Sequence, residues 1–481
     1  MKRARNLIIL IAMTIGIVFG GNFFSNNSVH AAEEKTYTIA TDVTFPPFVY
    51  TNDDNQLTGI DIDIMKAIAK EEGFKVKFKP IGFNAAVQSV SAGQVNGMMA
   101  GMTITDERKQ KFDFSNPYYS SGIVMAVAKD SKITKLSQLK GKKVAVKTGT
   151  SGADYANSIK DKYGFQVVTF DDSDNVYNDV KNGNSAACFD DDAVLKYGIQ
   201  NGIGLKIVTK PTAIGDYGFA VKKGTNQELM AKFNAGLAKI KKNGTYQKII
   251  DKYTKSKSNL YEKKDQGFLG LIKKNQKALL QGLGETLKLT IVSIICATIF
   301  GILVGLLGVL PVKFLNWIST SLIYIFRGLP LLVLALFIYN GIPSLTGHKI
   351  PAFVAGIITL TLNEGAYIAA FVKGGIESVD KGQMEAARSL GLPFGKAMRK
   401  VVLPQGIKMM VPSFINQFII TLKDTSILSV IGIVELTQTG KIIIARNLEG
   451  FKVWLIIAVM YLILITIFTL ISKWIERRLK V

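Results

Sequence analysis

Cysteine and histidine are almost absent from the 481 residues, with only Cys188, Cys296, His30 and His348 present. That excludes a disulfide-stapled miniprotein and a zinc or haem site of the usual His/Cys kind, so no metal site is expected. Cys188, in an apolar run, and Cys296, in a predicted membrane span, read as structural thiols. A G-x-x-x-x-G-K-[ST] phosphate loop is also missing. Gly440-Lys441 lacks the following hydroxyl residue, and Gly141-Lys142 lacks both that hydroxyl and the leading glycine. The chain is therefore not expected to hydrolyse ATP itself.

What is abundant is positive charge. Lys and Arg number 59 against 36 Asp and Glu, a formal +23, while 48% of residues are hydrophobic. The excess is unevenly placed: +3 in residues 1–32, +7 in 33–267 and +13 in 268–481. The first segment has Lys2, Arg3 and Arg5, then an uncharged run from Leu7 to Gly21, then Val29-His30-Ala31-Ala32. That run reaches roughly 22 Å as a helix, short of the hydrocarbon core, and small residues stand where a signal peptidase reads. Residues 1–32 are predicted to be an export signal, which places the chain from Glu33 onward outside the cytoplasm. The last segment has apolar stretches near 286–310, 315–340, 351–372, 410–433 and 452–472, which predict about five spans. Five spans put residues 373–408, with seven Lys/Arg, on the inner side, as does the basic tail. The surplus charge then marks a membrane protein, and nucleic acid is an unnecessary partner.

Between these ends, TYTIATDV, KVKFKPI, KKVAVKTG, SAACFDD and YGFAVKKG are strand-like and alternate with helical patterns such as IDIDIMKAIAKEEG. The alternation predicts α/β sheets with a ligand at the carboxyl ends of the strands. The length favours two lobes and a cleft. Five pieces carry a resemblance: ATDVTFPPF, GIDIDIMKAIAKE, AGMTITDERKQKFDFSNPYY, VAVKTGTSGADY and KNGTYQKIIDKY. In order and spacing they resemble the extracellular solute-binding proteins of polar amino acid ABC importers, from about Tyr37 to Tyr253. The resemblance implies a type II periplasmic-binding-protein-like clamp over 33–254. Its lobe 1 would be about 33–123 and 219–254, and its lobe 2 about 124–218, with hinge strands near Val124 to Lys129 and Tyr217 to Lys222. Residues 255–267 would be a polar linker.

An amino acid zwitterion leaves water only if both charged ends are well hydrogen-bonded. Arg108 offers a planar fork for the carboxylate. The resemblance adds the backbone near Thr103 and Ser151 there, and Gly101, Thr103 and Asp190 at the ammonium. It makes Phe45 and Phe83 the walls around the side chain. Asp42 and Lys147 fall where glutamine-selective members hold a carboxamide, and one acceptor plus one donor suits that group. Phe189 departs from the His that glutamine binders carry beside the ammonium site, which leaves glutamate and asparagine open. A basic amino acid is disfavoured by Lys147.

The predicted inner loop holds Glu385-Ala386-Ala387, then Gly391, then Val401-Val402-Leu403-Pro404. With GLGETLKLTI, FRGLPLLV and LKDTSILSVIG it resembles the polar amino acid ABC permeases, an all-α membrane domain over 268–481. The resemblance implies that loop 373–408 docks a separate cytoplasmic ATPase, which binds ATP and Mg, and that the permease works as a homodimer. Small Ala side chains permit close docking, Gly391 a turn, and Pro404 a restart of the chain. Asn363 and Glu364 in the third span and Lys423 and Asp424 in the fourth are costly in lipid, so they are candidates for a translocation pathway or for structural pairs. A ligand-gated receptor or channel is a competing class. It would need a pore inserted between the lobes or catalytic domains inside, and neither stands in the sequence. An enzyme on the clamp fold would leave the inner loop unexplained.

Overall fold

The computed structural model describes residues 35–52, 56–254, 267–447 and 449–479. The predicted export signal, and the linker apart from Gly267, lie outside the described residues. The first half holds two large sheets and a small two-stranded ribbon, Tyr50–Thr51 with Leu57–Thr58. The first contains β1 (Thr36–Thr41), β2 (Lys75–Pro80), β3 (Gly97–Met98) and β4 (Phe112–Phe114), and the second begins with β5 (Tyr119–Ala128), β6 (Lys143–Lys147) and β7 (Gln166–Phe170). Then come β8 (Ala187–Asp191), β9 (Leu205–Ile207), β10 (Thr212–Tyr217) and finally β11 (Ala220–Lys222), which returns to the first sheet. The strand orders are β2-β1-β3-β11-β4 and β9-β5-β8-β6-β7, with β10 also pairing β5. The chain therefore crosses between sheets twice, at residues 115–118 and 218–219.

β1 pairs in parallel with β2, Ile39 against Phe78, and β6 in parallel with β7 and β8. The interior strands β1, β6 and β8 are largely buried, as parallel strands covered on both faces are, while β2 and β7 lie at sheet edges and are partly exposed. Ile39, Ile60, Ile62, Ile64 and Phe233 fill the first lobe, and Val127, Val144, Val146 and Phe189 part of the second. Polar residues then concentrate at the strand ends. Asp42 follows β1, Lys147 ends β6 and Asp191 ends β8. All three lie at carboxyl ends, where the two lobes face each other.

The second half is helical. Phe268–Leu307, Ala352–Glu377, Phe394–Ile431 and Gly450–Trp474 are each long and apolar enough to cross a membrane, and a bent helix pair makes a fifth if it is counted as one span. The apolar stretch near 315–340 is not straight: Lys313–Gly328 and Leu331–Thr346 meet at 100°. Leu329 precedes Pro330 and adopts an extended conformation, as a residue before proline prefers, which ends the first helix there.

The loop 373–408 also departs from expectation at Pro404. The chain restarts earlier, after Pro393, and the helix continues through Pro404. Met398–Val402 is a π-turn, whose wider hydrogen bonding removes the need for the amide that Pro404 lacks. Lys381–Ser389 is a separate short helix whose N-terminal amides are capped by Asp380.

Candidate functional site: a cleft between two lobes

The cleft is lined by Asp42, Phe45, Phe83, Ala100, Gly101, Thr103, Arg108, Lys147, Thr150, Ser151 and Asp191. Eight of the nine residues expected from the sequence are among them. The exception is Asp190. Alternation along a strand puts neighbours on opposite faces. In β8, Asp190 accepts a hydrogen bond from the Tyr177 hydroxyl at 2.6 Å, and Asp191 is the carboxylate in the cleft. Asp190, the expected ammonium partner, therefore does not line the cleft, and its neighbour does.

Three links join the lobes. Lys147, only 3% exposed, pairs with the fully buried Asp42 and donates to the Thr44 hydroxyl at 3.1 Å. The Ser151 hydroxyl bonds that of Thr103 at 2.8 Å. Arg108 donates to the Thr103 carbonyl and, across the cleft, to the Gly149 carbonyl, both at 2.9 Å. Each cation also faces a ring, Lys147 that of Phe45 and Arg108 that of Phe83, both at 5.8 Å from the centroid. The space left measures about 10 Å³, room for about one water. An amino acid enters only when the lobes part.

Burial opposes charge on both Asp42 and Lys147. The attraction between them outweighs it, so Asp42 is held below the usual carboxylate range and Lys147 above its ordinary value. For Asp191 burial, and then the neighbouring Asp190, outweigh the pull of the Tyr217 and Ser121 hydroxyls and the Arg108 charge and push it up to about 7. Burial likewise raises Asp190.

Local structure sets these positions. Thr150 caps the helix Ser151–Tyr163, so Ser151 stands at a helix N-terminus, where amides favour a carboxylate. The Thr105 hydroxyl accepts the Arg108 backbone N–H and fixes the turn that carries the guanidinium. Gly101 has φ of 57°, and a Cβ there would lie 2.4 Å from Phe45 Cε1. Its N–H donates at 2.8 Å to Asp61, a fully buried carboxyl that nothing in the sequence pattern singles out.

In the membrane half, Glu364 is fully buried and accepts from the Gln417 amide, while Asn363 donates to the Phe326 carbonyl at 2.9 Å. Lys423 is exposed, and among the described residues no ion pair joins it to Glu364 or Asp424. Glu385 and Ala386 lie at the surface of the short helix of the loop 373–408, Ala387 is buried beneath them, and Gly391 turns the chain with φ of 83°.

A two-lobed α/β clamp followed by a multi-span helical unit is the architecture of a solute-capturing membrane transporter. Residues 37–256 match the bacterial extracellular solute-binding proteins, family 3, and residues 297–481 the binding-protein-dependent transport system inner membrane components. The arginine transport system permease protein ArtQ of Bacillus subtilis (strain 168) is 36% identical over 202 residues, 42% of this chain and 92% of that protein. The glutamine transport system permease protein GlnP of Escherichia coli (strain K12) is 35% identical over 204 residues, 42% of this chain and 93% of that protein. Substrate binding domain 2 of Lactococcus lactis GlnP, solved in an open conformation, is 48% identical over 48% of this chain and 99% of that one, with a TM-score of 0.37. The chain belongs to the amino acid ABC transporter family, as a family 3 solute-binding domain fused to its permease.

Proposed function

We propose that the chain captures L-glutamine outside the cell and passes it through a homodimeric pore driven by a separate ATPase. The observation that carries the glutamine assignment is the buried Asp42–Lys147 pair within the cleft. Opened by a ligand, it offers one acceptor and one donor, which a carboxamide satisfies with its NH₂ and carbonyl. Glutamate would meet Asp42, and arginine would meet Lys147, as like charges in a buried site. Relatives named for glutamine support the reading, and others are named for arginine.

Arg108 and the Ser151 helix N-terminus take the carboxylate, and Asp191 with Thr103 the ammonium. Phe45 and Phe83 flank the side chain. Ligand touching both lobes favours the closed state by differential affinity. Residues 1–32 direct export and are removed, which leaves the clamp outside and loop 373–408 inside. Glu385 and Ala386 face the ATPase, which holds ATP and Mg, and this chain acts as a transport subunit without a catalytic site of its own. Asn363 and Glu364, with Asp424 and Lys423 at the outer end of their bundle, line the route.

Calorimetric titration of residues 33–256 with each of the twenty amino acids tests the assignment. Glutamine binding at least about tenfold tighter than glutamate, asparagine or arginine, a gap of about 1.4 kcal/mol, is expected. Preference for arginine would overturn it.

A further inference from the structure

The two lobes are attached to the membrane unit unequally. On the first lobe, Lys79, Ile81, Gln88 and Gln94 form one patch around the end of β2 and the helix Phe83–Ser91 beyond it. Tyr339 of the membrane unit, 1% exposed and set in the one-turn π segment Phe337–Gly341, meets that patch. Lys79 donates to its hydroxyl and lies 4.6 Å from the ring centroid. Gln94 donates to the Tyr339 carbonyl and accepts the Ile350 N–H at 3.2 Å, and Asn340 donates to Gln88 at 2.9 Å. Ile81 packs against Gly432, whose φ is 84°; a Cβ there would lie 2.0 Å from Ile81 Cγ2. The second lobe has one ion pair with the membrane unit among the described residues, Asp172 to Lys441 at 3.5 Å, with Asn178 approaching Gly450. That is a single long contact against the several hydrogen bonds and the packing that hold the first lobe.

We propose that the first lobe is the fixed foot of the clamp, seated on residues 337–350, and that the second lobe swings away from Lys441 when the cleft opens. The three links between the lobes have to break for ligand to enter or leave, and the lobe with fewer attachments moves. A cavity of about 570 Å³ lies at the mouth of the cleft, bounded by Phe83, Arg108, Gly149 and Asp154 of the clamp and by Asn340 and Ser344 of the membrane unit. Departure of the second lobe takes Gly149 and Asp154 with it and opens the cleft into this chamber. Ligand is then released towards the permease rather than to the medium. The inference rests on the reading that the clamp closes on an amino acid.

Two cysteine pairs in the full chain, placed in nanodiscs and in a Cys188→Ala, Cys296→Ala background, test it. The Gln88→Cys, Asn340→Cys pair is expected to cross-link equally with and without glutamine. The Asp172→Cys, Lys441→Cys pair is expected to cross-link at least about threefold more with glutamine present. Failure of the first pair to cross-link in ligand-free protein overturns the inference whatever the ligand. So does ligand-independent cross-linking of the second pair in samples whose calorimetry records glutamine binding. No binding heat with any of the twenty amino acids sinks the functional reading instead, and the first pair, read without ligand, still decides which lobe is seated.

Discussion

The Lys147 ammonium, at the end of a strand in the second lobe, is buried against the Asp42 carboxylate that ends a strand in the first. The pair has two uses. It links the two lobes in the closed clamp, and it sets what a ligand side chain has to offer in order to replace it. Removing one partner leaves the other charge buried and alone, which costs about 3–5 kcal/mol.

Asp42→Asn should therefore change the ligand and not only weaken binding. The unpaired Lys147 favours an anionic side chain, so the ratio of glutamate to glutamine affinity should rise at least about tenfold. Calorimetry with both amino acids reads the ratio, and an unchanged ratio would remove Asp42 from the specificity site.

Arg108 donates to two backbone carbonyls, and in the proposed binding mode it exchanges one or both for the ligand carboxylate. Hydrogen bonds to charged groups contribute about 1.5–3 kcal/mol each, so Arg108→Ala should weaken glutamine binding by about 100-fold or more. Arg108→Lys keeps the charge but loses the fork and should recover only part. Both should melt close to the parent, because the side chain is not in a core.

Much of this site was legible because five ordered motifs fix the strand ends. Asp42, Lys147 and Ser151 each stand at the end of an element that the hydrophobic pattern locates. Asp190 was misplaced because Phe189-Asp190-Asp191-Asp192 offers carboxylates on both faces of a strand, and only the packing of Phe189 against Phe165 and Tyr155 decides which one faces the cleft. The π-turn before Pro404 left no mark in the sequence, since its residues are ordinary helix formers. The Lys79–Tyr339 contact joins residues 260 positions apart, beyond the reach of any local pattern.

Asp191 supplies a pH dependence. With its carboxyl raised to about 7, it is largely protonated below that pH, and an ammonium ligand requires the ionised form. Binding is therefore strongest above pH 7 and weakens as pH falls, approaching about tenfold per unit below 7. Asp42 stays ionised throughout because Lys147 holds it low. Titrations from pH 5.5 to 8.5 should show this slope in the parent and lose it in Asp191→Asn, which also binds more weakly at pH 8. The same slope in both proteins would assign the proton elsewhere.

Glu385 lies at the surface of its short helix, far along the chain from the clamp. Glu385→Lys should leave glutamine affinity intact and stop uptake by proteoliposomes supplied with the ATPase, because the charge reversal falls on the face proposed to dock it. Uptake at the parental rate would place ATPase contact elsewhere.

Asp61 tests how the Gly101 turn is supported. Burial pushes its carboxyl up to about 7, against the pull of the Gly101 N–H and the Tyr118 hydroxyl, whereas an unfolded chain titrates it near ~3.9. The folded state thus prefers the neutral acid. The stability this contributes is fully present below the unfolded value and is lost as pH rises through about 7, because the unfolded chain gains by ionising first. Asp61→Asn keeps an acceptor for the Gly101 N–H and never ionises. Its stability relative to the parent should therefore climb between about pH 4 and pH 7 and level off above, by at most about 4 kcal/mol at 1.36 kcal/mol per unit. Urea unfolding of residues 33–256 at pH 4.5, 6 and 7.5 measures the difference. A relative stability independent of pH would mean that Asp61 is ionised in the folded clamp, paired with more than the Gly101 amide.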